Sequence, residues 1–197
     1  MKTKLNLIAF YLLVLTIGGC VPVLSINPLF GENDTVLFDP NLLGFWKVAD
    51  SNQTWLFSRS EEPNIYELVI TENDGKQGNF FAGLGELEDN LFLVIYPKES
   101  ESKESDFFKL HTRRLFSSMR IELTDPNLEI AMMDMDKVDK IIKADPNILK
   151  YELVDNIITS PTEGLQAFVI KYGIEIDDAN SIFSEPAKFT RVAEEVD

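Results

Sequence analysis

Hydrophobic and polar positions divide the chain into three regimes. Residues 5–17 are apolar apart from Asn6 and Thr16, preceded by Lys2 and Lys4 and followed by Gly18, Gly19 and Cys20. From residue 44 to residue 133 the apolar positions recur with a period near two, or in short runs bounded by turn residues, which predicts strands. Residues 65–71 put Tyr66, Leu68 and Ile70 on one face and Glu67 on the other. Asn73-Asp74-Gly75-Lys76 is a hairpin turn, since Asp-Gly accepts the positive φ such turns need, and its partner strand is 78–84. Asp89-Asn90 turns again into the apolar run 91–96, which suits a strand covered on both faces. Residues 54–58, 107–110, 114–123 and 128–133 add further strands, with Asp125-Pro126-Asn127 between the last two. About eight strands without a long intervening helix is the pattern of a meander or barrel.

The last third changes period. Residues 136–144 space Val138, Ile141 and Ile142 on one helical face, ended by Asp145-Pro146. Two short strands follow at 151–154 and 157–159. Ser160, Pro161 and Glu163 form a capping-box start for a helix near 161–172, whose buried stripe is Leu165, Phe168, Val169 and Tyr172, with Gly173 as its stop. Ser184-Glu185-Pro186 opens a final turn toward Phe189 and Val192. The fold class expected is mainly β, α+β at its C-terminal end: a single antiparallel barrel-like or strongly curved sheet with a packed C-terminal helix.

The leading segment has the layout of an export signal: basic end, apolar core, small residues at a cleavage point. As a helix, residues 5–17 would span roughly 20 Å at about 1.5 Å per residue, short of a bilayer core. Ile17-Gly18-Gly19-Cys20 resembles the lipobox of bacterial lipoproteins. That resemblance implies cleavage before Cys20, a thioether from its thiol to diacylglycerol, and acylation of the new amino terminus. Several chains make such attachment durable. Cys20 is the only cysteine, so no disulfide is expected. The expected organisation is a signal peptide over 1–19, a lipidated tether over 20–36 and one domain over 37–197. The resemblance further implies the cell envelope, and the outer membrane where there is one, because Val21 is not the aspartate of the inner-membrane retention signal.

Asp39-Pro40 followed by Gly44-Phe45-Trp46 is similar to the opening of lipocalin-type barrels, where a short turn precedes a Gly-x-Trp signature and the Trp closes the barrel floor. Thr124-Asp125-Pro126 differs from that family's second motif in lacking an aromatic residue. Arg191 follows the C-terminal helix, whereas the family's closing arginine precedes it.

Charge narrows the partners. The chain carries 18 basic and 33 acidic residues, and loss of the leader with Lys2 and Lys4 leaves 16 against 33. Such a surface repels phosphate backbones, so no nucleic acid is expected as partner. Reactive constellations are sparse. His111 is the single histidine, no serine sits in a Gly-x-Ser-x-Gly elbow, and Gly83-Leu84-Gly85 is not placed as a phosphate loop. Asp134, Asp136 and Asp139 have calcium-like alternation without the turn glycine or the bidentate glutamate, and helix capping accounts for them better. Zinc has too few ligands. Arg113 and Arg114 point to opposite faces of an alternating strand. No catalytic residue, cofactor or metal is expected.

Trp46, Trp55, Phe57, Tyr66 and Phe80 form an aromatic set with two readings, a packed core or an apolar pocket at the barrel mouth. The function expected is a membrane-anchored, non-enzymatic binding or scaffold module for a small hydrophobic ligand or an envelope protein. The alternatives are an envelope hydrolase using carboxylates or a metal, with Asp134, Asp136 and His111, or a purely structural tethered domain.

Overall fold

The computed structural model describes residues 22–31, 34, 36–98, 114–149, 151–152 (backbone only), 157–177 and 180–192. Eight antiparallel strands close into a barrel. In chain order the strands are β1 (Leu24–Ser25), β2 (Gly44–Val48), β3 (Thr54–Arg59), β4 (Ile65–Thr71), β5 (Gln77–Leu87), β6 (Asn90–Pro97), β7 (Ser117–Thr124), β8 (Asn127–Met132), β9 (Tyr151–Glu152), β10 (Ile157–Ile158) and β11 (Ala187–Val192). The helices are α1 (Met135–Ala144) and α2 (Thr162–Val169). Strands β2 to β8 form an up-and-down meander, and β11 closes it by pairing with both β8 and β2. The eighth barrel strand is therefore β11, where the sequence suggested a turn; the expected strand at 107–110 lies outside the described residues.

Alternation creates two cores. Inward side chains fill the barrel, among them Trp46, Phe57, Tyr66, Leu93, Met119 and Leu128. Outward side chains of β6 and β8, notably Phe92, Val94 and Ala131, lie under α1, α2 and the 22–31 segment, and form a second core with Leu29, Phe168 and Phe183. Strand β6 is thus buried on both faces, as its unbroken apolar run predicted. The segment expected as tether contributes buried Val23, Ser25 and Leu29 to this packing. It is held by β1 pairing with β10, by Asn27 Nδ2 donating to Ser160 O at 2.8 Å, and by Gln166 Nε2 donating to Leu29 O at 2.9 Å.

Helix α1 begins where Asp134 accepts from Lys137 N at 3.1 Å, an N-cap. Helix α2 starts one residue later than the capping box required: its N-cap is Pro161, with no side-chain cap bond. The Thr162 hydroxyl donates instead to Pro28 O at 2.9 Å. The helix then widens into a π-type turn over Ile170–Ile174, and Gly173 sits buried within it, so that the stop comes at Glu175.

One end of the barrel is capped. Asp39 accepts from Asn41 N and opens a 3-10 turn over Pro40–Leu42, with Pro at its first position. Trp46 Nε1 donates to Leu42 O at 2.8 Å. Arg191, from β11, lies with its guanidinium 4.4 Å from the Trp46 ring centroid and donates to Leu43 O, Asn41 O and the Asp125 carboxylate. Gly44 has φ +115, a conformation that favours glycine, and a Cβ there would stand 2.7 Å from Arg191 Nη1 and push the guanidinium aside. Trp46 and Arg191 thus meet at one end of the barrel, the arginine coming from the strand that follows the helices.

Candidate functional site

The barrel interior and three outer surfaces are the regions where this fold could engage something. Trp46, Trp55, Phe57, Tyr66 and Phe80 do come together inside the barrel: the first four are buried and Phe80 is half-buried. Trp55 stacks edge-on against Phe189 at 5.3 Å, and Phe57 meets Tyr66 edge-on at 6.1 Å. In the capped half the lumen is filled. A ligand-sized void would leave accessible area on its walls, and Trp46, Tyr66, Leu68, Ala82, Leu93 and Leu128 have none.

The Tyr66 hydroxyl accepts from Asp39 N at 2.7 Å and donates to Asp39 O at 3.1 Å, which ties the capped end to β4. Burial pushes its pKa up to about 12. Toward the opposite end the inward side chains Val48, Ile70, Phe80 and Met132 become half-buried and make an apolar rim. Just inside it, the Trp55 indole Nε1 is buried with no hydrogen-bond acceptor among the described residues. An unsatisfied donor in an apolar interior costs roughly 1–3 kcal/mol, and a bound acceptor would relieve it.

On the outside, a groove of about 480 Å³ runs between the β5–β6 turn and β7–β8, walled by Leu91, Leu123 and Pro186 with Arg120 and the carboxylates of Asp89, Glu122 and Glu129. A second surface is the ridge Val192, Phe45 and Leu56, adjacent across β11, β2 and β3 and the most exposed large apolar side chains described. The third is an aromatic row across β5, β6 and the entry to β7. Phe81 and Tyr96 are cross-strand partners with centroids 5.6 Å apart, and Tyr96 and Phe116 are 5.5 Å apart. Arg114 lies 4.7 Å over Tyr96 and Lys98 lies 5.4 Å over Phe81. Burial, with Glu62 nearby, raises the Tyr96 pKa. The signal for this row was present in the outward phase of the same alternation that marked the core, but pattern reading weighed only the inward phase.

Other predicted chemistry is placed as follows. Asp134 caps α1, and Asp139 pairs with Lys143 at 2.6 Å, one helical turn on. Among the described residues no three carboxylate, histidine or cysteine side chains converge as a metal site. Cys20, His111 and Arg113 lie outside the described residues. No described helix is long and apolar enough to cross a membrane.

The fold and its site define a closed eight-stranded antiparallel barrel with an outer helical layer, capped at one end by a Trp–Arg pair. No protein-family model, curated protein or solved structure matches the chain.

Proposed function

We propose that this chain is a cell-envelope lipoprotein, anchored through acylated Cys20, whose barrel is a non-enzymatic binding module for a small hydrophobic compound bearing one hydrogen-bond acceptor. In a double-membrane bacterium its place is the outer membrane. The observation that carries the binding reading is the Trp55 N–H, buried without an acceptor among the described residues beneath the rim of Val48, Ile70, Phe80 and Met132. An apolar lining with one fixed polar group is what orients a hydrophobic ligand.

Native mass spectrometry of the full chain purified from membranes tests this. The expected result is a noncovalent adduct in the wild type that weakens in Trp55→Phe. Absence of any adduct, together with a more stable Trp55→Phe, sinks it. The anchor is tested by Cys20→Ser, expected to leave the membrane fraction; tight retention of that variant refutes acyl attachment.

The filled capped half of the barrel favours a second reading, a tethered structural module that meets an envelope protein through its outer surface. The hydrolase reading draws no support from the described carboxylates, since Asp134 serves as a cap and Asp139 as an ion-pair partner.

A further inference from the structure

The 22–31 segment joins the barrel beside the aromatic row. Ser25 N donates to Phe116 O and Phe116 N donates to Ser25 O, both at 2.9 Å. Phe116 is the end of the row that continues through Tyr96 to Phe81. Ser25 lies five positions along the chain from Cys20, at most about 18 Å of extended backbone, and Pro22 only two, at most about 7 Å. A lipid at Cys20 is therefore tied to this side of the barrel by a leash shorter than the barrel's own width. The domain cannot present every face to the membrane equally.

The row has the chemistry of an interfacial surface. Its rings are half-buried, so area remains to be covered. Tyr96 has an apolar body and a polar tip, and Lys98 and Arg114 place cations over ring faces, the combination that suits the boundary between head groups and acyl chains. Among the described residues, cations and carboxylates at the row are matched: Lys98 pairs with Glu67 at 2.7 Å, and Arg114 and Glu62 both act on Tyr96. In a chain left with 16 basic against 33 acidic residues, paired charges of this kind repel anionic lipid less than bare carboxylates would. The ridge of Phe45, Leu56 and Val192 is more exposed, but it lies on β11, β2 and β3, away from the strands that the 22–31 segment joins.

We propose that the barrel lies side-on, with Phe81, Tyr96 and Phe116 seated in the head-group layer of the bilayer that holds the acyl chains of Cys20. The inference rests on the acylated-anchor reading above. In this pose the barrel's open rim faces along the membrane surface.

Nitroxide quenching tests it on the acylated full chain in vesicles of phosphatidylethanolamine and phosphatidylglycerol. Because acylation occupies the only native thiol, an introduced cysteine can be labelled alone. A fluorophore at Asn79→Cys, two residues from Phe81 on the outer face of β5, should be quenched severalfold more by head-group nitroxide lipid than one at Lys47→Cys, across the barrel on β2. Adding Phe81→Asp should bring the two toward equality. Equal quenching in the unmodified background, or stronger quenching at Lys47→Cys, overturns the proposal. The mass of the same sample separates the failures. Unquenched but acylated protein defeats the side-on pose alone, whereas protein lacking diacylglycerol defeats the anchor and the pose together.

Discussion

At the scale of single residues, the capped end concentrates the fold's polar commitments. Arg191 satisfies two turn carbonyls and one carboxylate while covering Trp46, so Arg191→Met should cost about 2–3 kcal/mol, seen as a lower denaturant midpoint. Arg191→Lys should recover only part of this, because a point charge cannot serve three acceptors in a plane. Tyr66 gives a pH signature. Its folded pKa of about 12 lies above the ordinary tyrosine value of 10.0, so its contribution is complete below pH 10 and is lost as pH rises through 12. The lost stability is on the order of 2 kcal/mol. Tyr66→Phe should be less stable at neutral pH by about 1 kcal/mol and should lose less stability across that alkaline window, measurable by denaturant titration at a series of pH values. Gly44 and Trp46 stood out as a pair through their resemblance to a Gly-x-Trp opening. Their arginine did not, because it approaches from the far end of the chain and only barrel closure brings it there.

Among the elements, strands with a clear alternation were readable and the short polar ones were not. Strands β4 and β6 and the Asp74-Gly75 turn follow from local pattern, and Gly75 does take φ +84. Strand β11 shows one buried residue, Phe189, among six. Its strand character comes from two neighbours that supply ladder partners on both edges. Helix α1 was legible through its apolar face and its Asp134 cap. Asp134→Ala should therefore lower stability by about 1 kcal/mol, read as a lower melting temperature. The capping box expected at Ser160 failed because the incoming 22–31 segment takes up the groups around the α2 start, with Asn27 on Ser160 O and Thr162 turned to Pro28 O. Leu29, fully buried within the segment that reads as a tether with Leu29 and Phe30 open to pack on the domain, should cost about 2–5 kcal/mol when changed to Ala, and the same denaturation measurement reads it.

For the whole molecule, closure removes every edge of the main sheet, and β11 is the strand on which closure depends. Truncation after Pro186 should expose the free edges of β2 and β8 and delete Phe189 and Arg191 from the interior. The expected outcome is loss of cooperative unfolding and aggregation in size-exclusion chromatography; a truncated chain that stays monomeric and melts cooperatively contradicts the assignment. The amino-acid sequence determined the β class, most strand positions, the hairpin register and the aromatic set that fills the barrel, because period-two burial and turn chemistry are written in neighbouring residues. Tertiary structure alone decided that the meander closes, that its last strand is a weakly apolar segment, and that the presumed tether packs into a second core. Each depends on partners distant along the chain, and the contacts that reward them exist only once the sheet has curled.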